Sequence, residues 1–361
     1  MWNMFGIKEG KQMSLRKAVE LNNKEDKLEP INWNKQSDGM SEIYWNQGVN
    51  QIWFPEEFDI SRDLNSWNEL SDIERETYKK VLAGLTGLDA KQGGEGMNLI
   101  SYQEPRRHYK AVFGYMGMME FVHERSYSHI FTTILNNKET NYLLDEWVRE
   151  ESHLIKKAQF IGYFYKKLLN PEPTTFDRYM AKVASAFLES ALFYSGFYYP
   201  LLLAGQGRMT QSGAVIFKIT QDESYHGSAV GLTAQYDYEQ LTDTEKEKAD
   251  KLMYKLLDIL YDNEVSYTHM LYDDLGLTED VIRYVEYNFN RALSNLGKED
   301  YFHPEPFNAI VNNQIDVGRM RHVDFFSGKA DYEKSTNIKD IKDDDFNIED
   351  NESDLVDKFL W

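Results

Sequence analysis

The chain has 361 residues, 42% hydrophobic and 14% aromatic, enough for a large buried core without covalent staples. It contains no cysteine, which excludes disulfides, thiolate metal sites, iron–sulfur clusters and cysteine nucleophiles. A net charge of -20 with no basic stripe argues against a nucleic-acid-binding surface, because neutralising phosphates takes clustered Lys and Arg.

In chain order, residues 1–30 are polar and read as a loosely attached N-terminal arm. The opening "MWNMFGIKEGKQMSLRK" lacks an apolar run of signal-peptide length, and no later stretch supplies the ~20 apolar residues that span a bilayer. A cytoplasmic protein with no membrane role is expected. After the Trp-rich stretch "INWNKQSDGMSEIYWNQGVNQIWFPEEFDISRD", the periodicity predicts helices over 66–91, 106–136, 140–168, 173–204, 210–236, 243–272 and 278–296. Breaks are expected at "QGGEG", "NNKET", "NPEPT", "GQGRM" and "LGLTED". With 8 prolines and few hairpin signals, residues 31–330 read as one all-α domain. Residues 331–361 read as a flexible acidic tail, since residues 340–361 carry nine Asp or Glu against two Lys. The tail ends in "LVDKFLW", and apolar side chains on a solvated leash suit a partner's groove.

The helix over 106–136 contains "YMGMMEFVHERSYSHIF". Each helical residue turns about 100°, so Glu120, His123 and Tyr127 point the same way. Met116, Met119, Phe121 and Val122 surround them with apolar bulk, where a lone carboxylate is costly unless paired or metal-bound. Glu124 and His129 fall off that face and are expected to be dispensable. Glu-x-x-His recurs at Glu150/His153, among Arg149, Lys156 and Lys157, which reads as a solvated helix face. It recurs again at Glu223/His226, between apolar segments. Glu189 is the only charge between Lys182 and Arg208, in the most apolar helix of the chain. Asp89 closes the apolar run "VLAGLTGL".

Four helices thus offer two Glu-x-x-His pairs and two single acids, the pattern of a ferritin-like helical bundle with a dinuclear metal site in its core, with Asp in place of one Glu. Asp89, Glu120, His123, Glu189, Glu223 and His226 are hard oxygen and imidazole donors, which suit two manganese or iron ions. Tyr127 shares the ligand face and leans back toward it, so an oxygen-activating centre could oxidise its phenol to a radical. Phe193, Phe197 and Ile219 are candidates for the dry wall such a radical needs.

Over roughly residues 30–332 the chain resembles the small, radical-generating subunit of class I ribonucleotide reductase, most closely the class Ib form. "INWNKQSD", "IWFPEEFDISRDLNSW", "GLTGLDAKQGG", "MMEFVHERSYSHIF", "LESALFYSGFYYP", "QDESYHG" and "HVDFFSG" stand in that family's order. The resemblance implies that Asp89, Glu120 and His123 hold one metal and Glu189, Glu223 and His226 the other. It places the radical on Tyr127, made with an oxygen-derived oxidant. It assigns radical transfer to Trp53 and Asp222, with His123, and to Tyr332 in the tail.

The implied assembly is a homodimer that docks through its C-terminal tail on a large catalytic subunit, which reduces ribonucleotides to deoxyribonucleotides. A flavodoxin-like activating protein is implied if the working metal is manganese. The missing cysteines fit, because the reducing thiols would lie on the large subunit. Two features depart from the family: Gln221 stands before Asp222 where many relatives have Arg, and the chain continues past "KDDDFNIED" into "NESDLVDKFLW". Two tail segments therefore compete for the docking role. The alternatives are a stand-alone dinuclear oxidase, which would need a substrate channel and no relay, and a ferritin-like metal-binding protein, which would need neither Tyr127 nor the tail.

Overall fold

The computed structural model describes residues 28–35 and 38–313, and among these no β-strand occurs. Most of the predicted arm, the acidic tail and Tyr332 lie outside the described residues. The Asp38 carboxylate accepts from the Ser41 backbone N–H at 2.9 Å and opens α1 (Met40–Asn50). Short 3₁₀ turns at Pro55–Glu57 and Ile60–Asp63 lead into α2 (Leu64–Glu69). A capping box starts α3 (Asp72–Lys91): Ser71 Oγ accepts from Glu74 N while Glu74 accepts from Ser71 N.

The predicted break at "QGGEG" is not a break. Gln92–Gly96 forms a π-helical turn that runs on into α4 (Met97–Gln103). The two glycines serve close approach instead: a Cβ on Gly93 would lie 2.9 Å from Glu120 Cβ, and one on Gly96 would lie 2.7 Å from the Tyr165 ring. The ligand-bearing helix α5 spans Arg107–Ile134.

The predicted 140–168 helix is instead α6 (Asn137–Asn141), a π-helical turn (Tyr142–Trp147), α7 (Val148–Glu150) and α8 (Ser152–Lys167). The chain restarts at Glu151, whose side chain accepts from the backbone of His153 and Leu154, both at 2.8 Å. The predicted 173–204 helix is α9 (Thr175–Phe187), a π-helical turn (Leu188–Leu192) and α10 (Tyr194–Gly205). π-helical turns carry one extra residue and gather at functional sites, and this one carries Glu189. After Gly207 at φ 80° come α11 (Thr210–Glu239), α12 (Asp243–Tyr272) and, past Gly276 at φ 66°, α13 (Thr278–Asn295).

Helices α3, α5, α9–α10 and α11 pack side by side around one core, α9 lying along α11 and α3 along α5. Near one end of this bundle four charges meet, three of them buried and Arg106 half-buried. Lys182 on α9 lies 2.7 Å from Asp237 on α11 and 2.5 Å from Glu104, just before α5. Arg106 holds the same two acids, reaching Asp237 at 2.9 Å. Burial raises the Glu104 pKa, but Lys182 and then Arg106 outweigh it and hold the group below its ordinary value. No helix among the described residues is long and apolar enough to cross a membrane.

Candidate metal centre

Each of the six predicted donors sits on one of the four packed helices or the π turn between them, and each is 0% exposed. Asp89 comes from the last turns of α3, Glu120 and His123 from α5, Glu189 from the π turn, and Glu223 and His226 from α11. They converge as two overlapping groups. Asp89, Glu120, His123 and Glu223 form one, Glu120, Glu189, Glu223 and His226 the other, each with its ligand atoms within 4.8 Å of one another. Glu120 and Glu223 belong to both, the arrangement expected of carboxylates that bridge two ions.

The local contacts fit cations and little else. His123 Nδ1 lies 2.9 Å from Glu223, 3.2 Å from Asp89 and 3.6 Å from Glu120. His226 Nδ1 lies 2.9 Å from Glu120, 3.2 Å from Glu223 and 3.6 Å from Glu189. One ring nitrogen carries at most one proton and satisfies one acceptor, so oxygens are left over. Asp89 Oδ2, both Glu120 oxygens, Glu189 Oε2 and Glu223 Oε1 are buried without a hydrogen bond. Four acids converging this closely in a dry core repel one another strongly. Two divalent cations would satisfy every one of those oxygens, and the imidazoles would bind through Nδ1.

Burial pushes the Asp89 and Glu189 carboxyls well up. At Glu223 burial acts the same way, but a hydrogen bond with Glu189 and the charges of His226 and His123 bring that group below its ordinary range. Burial disfavours both imidazolium ions, yet the surrounding acids outweigh it and raise His123 and His226. Protons favoured on Asp89, Glu189 and the two imidazoles would compete with metal for the cage. Manganese(II) or iron(II) binding should release protons and tighten as pH rises. Calorimetry in two buffers of different ionisation enthalpy checks this, and equal heats in both would contradict it.

Outer contacts orient the cage. His123 Nε2, facing away from the acids, lies 3.1 Å from Asp222 Oδ2, and that oxygen accepts from Trp53 Nε1 at 2.7 Å. Trp53 is 2% exposed and its ring stacks near His123, centroids 6.0 Å apart. The structure thus joins two of the three predicted transfer residues, Trp53 and Asp222, to the His123 imidazole. Gln221 is not the hydrogen-bonding neighbour of Asp222 here; Gln51 fills that place, donating to Asp222 Oδ1 at 3.2 Å.

Sequence reasoning missed Gln51, and also Gln92, whose amide donates to Glu189 Oε1 and, at 2.8 Å, to Ser185 Oγ. Tyr165 donates in turn to the Gln92 carbonyl. These are neutral residues in mixed surroundings, so no charge conflict marks them in the sequence.

Tyr127 is fully buried on the ligand face of α5, and its hydroxyl has no hydrogen-bond partner. Burial, then the charges of Asp89, Glu223 and Glu120, push its pKa well up, so the phenol stays neutral. Phe193, Phe197 and Ile219 are fully buried as well. Glu124 and His129 are half-buried and outside both ligand groups. Glu150 is exposed, and His153 Nδ1 pairs with Glu151 instead, at 2.7 Å.

Comparison with known proteins agrees with this geometry. Residues 30–309 match the family described as "Ribonucleotide reductase, small chain". The chain is 44% identical over 320 residues to the ribonucleoside-diphosphate reductase subunit beta of Bacillus subtilis, covering 88% of this chain and 96% of that protein. It is 33% identical to the Escherichia coli ribonucleoside-diphosphate reductase 2 subunit beta, covering 89% and 99%. Its fold is similar to the crystal structure of Streptococcus sanguinis dimanganese(II)-NrdF, with a TM-score of 0.75 and 36% identity over 80% of this chain and 100% of that one. A ferritin-like bundle, a buried two-metal donor set and these likenesses lead to one conclusion: the chain belongs to the small-chain family of ribonucleotide reductase, in its class Ib-like branch.

Proposed function

We propose that this chain forms a tyrosyl radical on Tyr127 and passes it through His123, Asp222 and Trp53 to a large subunit that reduces ribonucleoside diphosphates. The observation that carries this reading is the continuous line Trp53 Nε1–Asp222 Oδ2–His123 Nε2, at 2.7 and 3.1 Å, which starts at a ligand imidazole. When bound, two manganese or iron ions would supply, with an oxygen-derived oxidant, the power to take one electron from a phenol. The protein's share is to hold Tyr127 neutral, buried and free of competing hydrogen bonds. Losing the electron, Tyr127 must also lose its proton, and the apolar surroundings keep water from quenching the neutral radical. Outward transfer then takes an electron from Trp53, whose indole proton has an acceptor in Asp222 while Gln51 steadies the other oxygen.

Trp53→Phe keeps an aromatic ring, at some loss of packing, and removes the N–H donor. The expected result is a normal Tyr127 radical with deoxyribonucleotide formation reduced to background when the large subunit is added; unchanged turnover would defeat the relay. A stand-alone oxidase would leave this buried relay without a task.

The finer features belong to the same reading. Asp89, Glu120 and His123 hold one ion and Glu189, Glu223 and His226 the other, with Glu120 and Glu223 reaching both. The dimanganese state named for the Streptococcus protein supports manganese as one working pair, and with it a flavodoxin-like activating partner; electron paramagnetic resonance after loading each metal decides between manganese and iron. The chain works as a cytoplasmic homodimer and docks on the large subunit through its acidic tail, with Tyr332 receiving the radical there. Deleting residues 340–361 should leave the Tyr127 radical intact and abolish large-subunit binding in a pull-down. Retained binding would rule out the tail.

A further inference from the structure

A second line of aromatic rings leaves the metal cage from its other imidazole. The Tyr225 ring lies 5.6 Å from His226, centroid to centroid, and 5.7 Å from Tyr44. Tyr44 lies 6.5 Å from Tyr109, and Tyr109 lies 6.2 Å from Tyr236, which is half-buried. Successive rings are at contact separation, and the line crosses from α11 to α1 to α5 and back to α11 near the surface. It shares no residue with the Trp53 line. The hydroxyls differ along its length. Tyr225 donates to the Tyr44 backbone carbonyl at 2.8 Å, which is no base, and Tyr44 pairs with the Ser228 hydroxyl at 2.7 Å. At Tyr109 the hydroxyl meets a carboxylate, donating to Asp38 with both oxygens at 3.2 Å, and the Tyr236 hydroxyl reaches the same carboxylate.

We propose that Tyr225, Tyr44, Tyr109 and Tyr236 form a second electron conduit, which drains oxidising equivalents from the His226 side of the cage when Tyr127 cannot take them. The inference rests on the radical-forming function above. In the step, one electron moves inward from Tyr109 through the Tyr44 and Tyr225 rings and reduces the oxygen-derived oxidant of the dinuclear centre by one equivalent. The phenolic O–H bond of Tyr109 breaks and its proton passes to Asp38, leaving a neutral tyrosyl radical and a protonated carboxyl group. Tyr236, in ring contact with Tyr109 and nearer solvent, is where an external reductant would reach the line. Tyr225 and Tyr44 act as bridging rings, because neither faces a base. The line spares the ligands, whose oxidation would destroy the centre.

The test uses the full chain loaded with iron(II) and exposed to oxygen in the presence of catalase. A Tyr127 radical is confirmed first in the wild-type chain; without it the parent reading fails. In Tyr127→Phe, freeze-quenched samples should show a different tyrosyl signal, and peptide mass mapping should find oxidation at Tyr109 and Tyr236. Adding Asp38→Asn, which keeps a cap for α1, should eliminate that signal and the oxidation at both positions. Tyr44→Leu, which removes a bridging ring, should do the same once a thermal melt shows that it folds. Oxidation at Tyr109 and Tyr236 that persists in Asp38→Asn would overturn the conduit while leaving the Tyr127 function standing, since an oxidant arriving through solvent does not need Asp38.

Discussion

Tyr127→Phe will remove the wild-type radical signal of the metal-loaded chain and bring deoxyribonucleotide formation with the large subunit to background, while both ions stay bound. The three outcomes separate because Tyr127 lies on the ligand face without belonging to either ligand group. Its hydroxyl makes no hydrogen bond, so the variant forfeits none, and the folding free energy should change by less than about 1 kcal/mol. Electron paramagnetic resonance, metal analysis and a thermal melt read these separately. A wild-type radical signal surviving in the variant would sink the assignment, and a lost metal would make Tyr127 structural.

The second large effect falls on Glu223. It stands in both ligand groups, so Glu223→Gln, which keeps the shape and removes the charge, should weaken both ions together. Changes in outer contacts of metal sites typically cost 10- to 100-fold in affinity, and loss of a shared carboxylate should exceed about 100-fold. Glu150→Gln, the same change at an exposed Glu-x-x-His, should leave loading unchanged. Two ions bound by Glu223→Gln at wild-type affinity would refute the shared-ligand geometry.

The cage was legible in the sequence because its members are conspicuous: Glu120, Glu189 and Glu223 are charges placed where an apolar helix has no use for them. Asp89 was harder, since an acid near a helix end has an ordinary role as a solvated or capping group. Its burial follows from what comes next. The glycines at 93 and 96 looked like helix breakers, but they let Glu120 and Tyr165 approach the backbone, so the helix continues and Asp89 stays inside. The π-helical turns were invisible for a related reason. One inserted residue does not disturb the apolar pattern of a helix buried on all sides, so Leu188–Leu192 read as ordinary helix although it carries Glu189. Gln51 and Gln92 were missed because their partners lie 171 and 97 residues away, and only the fold brings them together.

The charge knot of Glu104, Arg106, Lys182 and Asp237 bears on how the cage is filled. Arg106 and Asp237 each lie fourteen residues along their helix from a shared ligand, Glu120 and Glu223, so the knot sits about 20 Å from the cage. It clamps the axial register of α5, α9 and α11, the segments that deliver Glu120, Glu189 and Glu223, through charges that balance without any metal. The knot therefore holds the three segments together independently of the cage. Where a zinc finger folds only with its metal, this chain should keep its helical shape when a chelator removes its ions, which circular dichroism before and after chelation checks.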